Sequence, residues 1–168
     1  MVLMKTELSL EIPHDLMAPA KEVIAGLRQD QTNPNYRPMI YICAPYTAVV
    51  MNNHKVIRQV ESYCRFVYEC GGIPICPQLY LPRFLNFHNY SELNAAVFMG
   101  IVWMRKCSEI WAFGKLTGDM KWEIKKAQKK NQPVRYFAES LEVIKWSSLY
   151  LLLTLLVNKP IPSTQIKS

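Results

Sequence analysis

The sequence lacks the glycine signatures of the common nucleotide folds. No G-x-G-x-x-G follows its first predicted strand and no G-x-x-x-x-G-K-[ST] occurs anywhere. Both motifs need glycine to bring backbone N–H groups against phosphate, so dinucleotide-type Rossmann and P-loop sites are excluded. The G-x-S-x-G elbow of the α/β-hydrolases is also missing. No C-x-x-C pair exists, and five cysteines (Cys43, Cys64, Cys70, Cys76, Cys107) are an odd number among apolar neighbours. Free thiols in a reducing, cytoplasmic setting are therefore expected. His14, His54 and His88 fall at no metal-ligand spacing with each other or with the cysteines, so neither a metal nor another cofactor is expected. The longest apolar run, Leu149 to Val157, is well short of the ~20 residues that span a bilayer. The N-terminus MVLMKTELSLEI lacks the continuous apolar stretch of a secretory signal.

What is present describes one globular domain. The chain has 168 residues, half of them hydrophobic and 20% charged, enough to bury a core without disulfides or a structural metal. Net charge is +7, with Lys121, Lys125, Lys126, Lys129 and Lys130 close together. Lysines three and four apart line one side of a helix, so the run reads as a solvated face or as weak support for a phosphate-bearing ligand. Aromatic-basic RNA-binding strands are absent, and a nucleic-acid partner is not expected.

Along the chain, residues 1–37 read as an N-terminal arm, with Leu8, Leu10 and Ile12 alternating as in a strand and a short helix from about Pro19 to Leu27. From Pro38, β-rich runs at 39–43 (MIYIC), 73–76 (IPIC), 109–113 (EIWAF) and 133–137 (PVRYF) alternate with segments of helix length. Val56, Ile57, Val60, Tyr63, Cys64 and Val67 repeat at helical spacing, and Gly71-Gly72 supply the stop. A helix from Ser91 to Met104 is apolar nearly all round, which predicts a second covering surface such as another subunit. Residues 138–168 read as a C-terminal helical extension and tail. Apolar strands joined through helices predict a three-layer α/β fold, Rossmann-like in the flavodoxin manner, with a parallel sheet.

In such sheets ligands bind beyond the carboxyl ends of the strands, which selects three loops. The first is Ala44-Pro45-Tyr46-Thr47, either a sugar-facing turn or an ordinary turn with Thr47 as helix cap. The second, PQLYLPRFLNFHNY, carries Gln78, Tyr80, Arg83 and His88 and reads as a pocket wall, lid or core cover. The third, Gly114-Lys115-Leu116-Thr117-Gly118-Asp119, leads into a helix whose first turn is expected to hold Glu123. A carboxylate there would be kept ionised by the helix dipole, which suits a nucleophile, although a helix-favouring or capping role fits as well.

The order YICAPYT, YCRFVYECGGIPICPQLYLPRFL, CSEIWAFG and GDMKWEIKKAQKKNQPVRYF resembles the nucleoside 2-deoxyribosyltransferase-like superfamily over about residues 38–137. Within it the chain is most similar to an uncharacterised branch of bacteria and their phages. The resemblance implies a glutamate nucleophile, at Glu123, that attacks the anomeric carbon of a (deoxy)ribosyl group and expels the base, in the two-step logic of retaining glycosidases. It places Tyr46 along the sugar and the Thr117-Gly118 turn near sugar or phosphate. Because helix starts bind anions through free backbone N–H groups, the backbone from Thr117 to Met120, assisted by Lys115 or Arg83, is expected to receive a phosphate. This sequence departs from the family in two ways. Met99 to Met104 carries no acid where the better-known enzymes have an aspartate, and Gln78 replaces a histidine. Asp119 stands where the branch often has glycine and becomes the candidate proton-handling group. The implied activity is cleavage or exchange of an N-glycosidic bond; the alternative is a nucleotide-sequestering protein. The implied partners are a nucleoside or nucleotide and further copies of the chain, with no membrane.

Overall fold

The computed structural model describes residues 14–29 and 31–143. The strand alternation of Leu8 to Ile12 and the apolar run from Leu149 to Val157 lie outside them. The elements, in chain order, are α1 (His14–Arg28), β1 (Met39–Cys43), α2 (Tyr46–Val50), α3 (His54–Glu69), β2 (Ile73–Ile75), α4 (Pro77–Tyr80), a 3-10 turn (Leu81–Arg83), α5 (Tyr90–Lys106), β3 (Glu109–Phe113), α6 (Gly118–Gln128) and β4 (Val134–Phe137). All four strands are parallel, in the order β2-β1-β3-β4. Tyr41 pairs with Ile75 on one side and Ile110 on the other. The fold is the expected three-layer α/β sandwich.

Alternation along the central strands sorts the two covering layers. Ile40 and Ile42 point toward α1 and α3, where they join Val60, Phe66, Val67, Trp111, Phe113 and Phe137 in one core cluster. Tyr63 stacks on Phe113 at 4.4 Å, and Phe113 on Phe137 at 4.9 Å. Tyr41 and Cys43 point the other way, into a second cluster with Met104, Ile110, Ala112, Met120, Ile124 and Ala127 beneath α5 and α6. A strand buried on both faces cannot show a polar face, which is why MIYIC and the IWAF of β3 read as apolar runs, while Glu109 at the start of β3 is buried against the Arg135 guanidinium. The helix in the segment read as an arm is longer than expected. It buries Met17, Ala20 and Ile24 in the first cluster.

Helix boundaries follow local chemistry. The Asn53 side chain accepts from the N–H groups of Lys55 and Val56 at the start of α3, and Asn89 does the same for Ser91 and Glu92 at the start of α5. After α3, Gly71 takes φ +98°, which only glycine adopts without strain. β2 stops at Ile75, one residue short of expectation, because Cys76 becomes the N-cap of α4. Pro74 is tolerated because β2 is an edge strand. On α5, the helix that reads as apolar nearly all round, the buried line is Ala96, Gly100 and Met104. Small residues let the helix approach the sheet closely, and Val97 and Phe98 are left exposed.

Candidate functional site

The loops after β1 and β3 meet through one carboxylate. Asp119, in the first turn of α6, accepts hydrogen bonds at Oδ2 from the N–H groups of Tyr46 (2.8 Å) and Thr47 (3.1 Å), and at Oδ1 from the N–H of Met120 (3.1 Å) and the hydroxyl of Thr117. Thr47 therefore does not cap α2. Its own N–H is capped, by a residue more than seventy positions away. Burial pushes the Asp119 carboxyl upward, but these four donors outweigh it and hold its pKa below the ordinary value. The anion held at the starts of α2 and α6 is Asp119 itself, which occupies the Met120 N–H in the backbone stretch expected to receive a phosphate.

Glu123 lies one turn further along, in the second turn of α6 and not the first. The Tyr41 hydroxyl donates to its Oε1 at 2.8 Å. Its Oε2 is buried without a protein partner, as is the hydroxyl of Tyr46. Burial raises the Glu123 pKa to about 7, against the lowering effect of hydrogen bonds from Tyr41 and Cys43 and with a further upward push from the Asp119 charge. The expectation of a carboxylate held ionised by a helix terminus is overturned. Desolvation dominates because the side chain points inward beneath α5, beyond the turn where the dipole acts.

Between α5 and α6, at the carboxyl end of β1, these groups line a cavity of about 80 Å³. Tyr41, Tyr46, Asp119 and Glu123 form its polar wall, and Ala96, Val97, Gly100, Ile101 and Met104 of α5 form an apolar one, with Pro77 at its margin. Trp122 stands at the rim, 42% exposed, with the Lys126 ammonium 5.0 Å from its ring centroid. The arrangement offers one poised carboxylate oxygen and one unpartnered phenol to whatever enters. Both charge stabilisation and nucleophilic attack are within its chemistry. Among the described residues, no three His, Cys, Asp or Glu side chains converge as metal ligands would.

The sequence profile of a domain of unknown function, DUF7768, matches residues 38–137. The chain belongs to the DUF7768 family. No curated protein matches it. The DUF7768 segment begins beside β1 and ends with β4, so it contains the whole sheet and the whole cavity.

Of the residues singled out from sequence, the DUF7768 fold brings Tyr46, Asp119 and Glu123 to the cavity. Pro45, Thr47, Thr117 and Gly118 belong to the two loops joined by Asp119 but do not line the cavity, Ala44 is buried in the first core cluster, and Met120 is buried in the second. Gln78 is fully buried and turned inward. Its Nε2 donates to the Ile42 carbonyl at 3.4 Å and its Oε1 accepts from the Cys76 thiol at 3.3 Å. Gly114 takes φ +71° and donates its N–H to the Phe137 carbonyl, closing the β3 turn. Arg83, Lys115 and His88 are exposed and do not line the cavity, and the five clustered lysines form the solvated face of α6 and the turn after it. Sequence reasoning missed Tyr41, Cys43, Gly100 and Trp122. Tyr41 had a signal: a phenol in a strand buried on both faces needs a partner for its hydroxyl.

Proposed function

We propose that this DUF7768 protein cleaves or exchanges the N-glycosidic bond of a nucleoside or nucleotide, with Glu123 as nucleophile. One observation carries the reading: the Glu123 carboxylate is tied at one oxygen by Tyr41, while its other oxygen and the Tyr46 hydroxyl are both unpartnered at one cavity. Glu123 Oε2 attacks the anomeric carbon as the C–N bond breaks, and the electron pair leaves with the base, which is protonated from solvent at the rim. The resulting ester is taken by water or by a second base, as in retaining glycosidases. Tyr41 orients the nucleophile and Tyr46 binds a sugar hydroxyl. Asp119 holds the two loops together and keeps a negative charge near the developing cationic sugar. The enclosed volume is below the roughly 300–1,000 Å³ of sites that swallow a whole ligand, so in this reading the sugar enters the cavity and the base lies against Trp122 at the rim.

The test is base release from a broad panel of nucleosides and 5′-monophosphates. Wild type is expected to release free base, and Glu123→Ala to lose at least about 10³-fold while remaining folded. Wild-type rates in the variant overturn the nucleophile assignment. A second reading has its own support, since Asp119 is fully engaged and leaves the cavity with a single available carboxylate. In that reading the pocket sequesters a nucleotide without cleaving it. Tight binding by calorimetry with no base release across the panel favours it over the enzyme.

A further inference from the structure

A second concavity, of about 510 Å³, runs along the β2 edge between α3 and α5. Met39, Pro74, Ile75, Tyr80, Trp103 and Lys106 line it together with two thiols, Cys64 from α3 and Cys76 from the end of β2. The Cys76 thiol donates to Gln78 Oε1 at 3.3 Å, and the Cys64 thiol opens on the same groove. The other three cysteines are buried and line neither concavity. We propose that Cys64 and Cys76 form a redox-active dithiol, oxidised to a disulfide by a hydroperoxide entering this groove.

The two sulfurs have different parts in the step. The hydrogen bond from Cys76 holds the Cys64 pKa below the ordinary thiol value despite burial, while the same contact and burial push Cys76 well up. Cys64 is the attacking thiolate and Cys76 the resolving thiol. The Cys64 sulfur attacks one peroxide oxygen and the O–O bond breaks. The departing hydroxide takes the proton Cys64 gave up and leaves as water, with Cys64 now a sulfenic acid. The Cys76 sulfur then attacks the Cys64 sulfur, the S–O bond breaks, and hydroxide leaves with the Cys76 proton as a second water. Two thiols lose two electrons and hydrogen peroxide gains them; an alkyl hydroperoxide yields an alcohol and one water. Burial pushes the remaining thiols, Cys43, Cys70 and Cys107, upward, so they stay protonated.

Oxidation also reaches toward the first cavity. A disulfide removes the S–H that Cys76 donates to Gln78, whose amide braces the Ile42 carbonyl between Tyr41 and Cys43. Pro77, between Cys76 and Gln78, lines that cavity.

The experiment treats the reduced full chain with hydrogen peroxide, counts thiols and maps peptides without reduction. The expected result is loss of two thiols, a mass decrease of about 2 Da, a linked peptide joining Cys64 to Cys76, and full recovery with dithiothreitol. In Cys76→Ser, Cys64 is expected to stop at a sulfenic acid that dimedone traps. Wild-type Cys64 accumulating oxygen adducts with no linked peptide overturns the proposal. So does thiol loss confined to Cys43, Cys70 or Cys107, or no loss at peroxide levels that oxidise a model thiol.

Discussion

Glu123 concentrates the chemistry of this chain in one side chain, and its burial makes that chemistry depend on pH. With a folded pKa of about 7, the nucleophilic carboxylate forms as pH rises, so kcat/KM for base release is expected to climb through about pH 7 and level off above it. The Tyr41 hydrogen bond lowers that pKa, so Tyr41→Phe should move the rising limb to higher pH; an unmoved limb contradicts the coupling. Stability runs the opposite way. The folded carboxyl titrates above its ordinary value of 4.5, so the contribution of its protonated form is complete below that value and is lost as pH rises toward 7. Glu123→Gln removes the penalty, and denaturant unfolding at pH 8 should find it more stable than wild type by up to ~3 kcal/mol, with the difference vanishing near pH 4.5. Equal stabilities at pH 8 would show that Glu123 is not desolvated in solution.

Between elements, the deciding contact is the cap that α6 places on α2. Pro45 has no side chain able to cap and makes no such bond, so Asp119 supplies the acceptor for two of the orphan N–H groups. Asp119→Ala is expected to lower stability by about 0.5–2 kcal/mol, the usual range for a lost cap, and to loosen Tyr46 at the cavity. Chemical denaturation measures the first effect and ligand affinity the second. A loss of base release with unchanged stability would instead assign Asp119 a direct part in the reaction. Two glycines make a matched contrast. A Cβ on Gly72 would fall 2.9 Å from Val67 Cγ1 and 3.2 Å from Ile40 Cγ1, so Gly72→Ala should cost about 1–3 kcal/mol in the turn between α3 and β2. A Cβ on Gly100 meets only the Tyr41 hydroxyl, at an ordinary 3.6 Å. Gly100→Ala should therefore raise stability by up to ~1 kcal/mol through helix propensity while narrowing the cavity and reducing ligand binding. Thermal melts beside calorimetry separate the two.

For the whole molecule, the layer over one face of the sheet ends in apolar side chains turned outward. Phe98 is 67% exposed and Val97 38% on α5, and Tyr80 and Phe84 are each 56% exposed beside it. Apolar groups gathered on one side favour association, and light scattering at micromolar concentration is expected to give a mass above the 19.5 kDa of one chain. A monomer would overturn that expectation. Val97 also lines the cavity, so Val97→Asp is expected to change assembly and ligand binding together.

Periodicity alone determined the layered architecture. Runs such as MIYIC and IWAF are apolar because both faces of a central parallel strand are covered, and the segments between them have helical spacing and length. The same rule that puts ligands beyond the carboxyl ends of parallel strands pointed to the loops that lead into the helices carrying Tyr46, Asp119 and Glu123. Only the tertiary structure decided what those residues do. Asp119 became a cap because α2 begins beside it, a contact across 73 positions that no local pattern records. Glu123 became a desolvated carboxylate because α5 closes over the second turn of α6, and Gln78 became an internal brace because Cys76 and Ile42 supply its partners. Tyr41 entered the site through strand register, which aims it at the helix carrying Glu123 from 82 positions away. Local sequence sets dihedral preference and apolar period. Hydrogen-bond partners and burial are set by packing between segments, and in this chain those two quantities decide the chemistry.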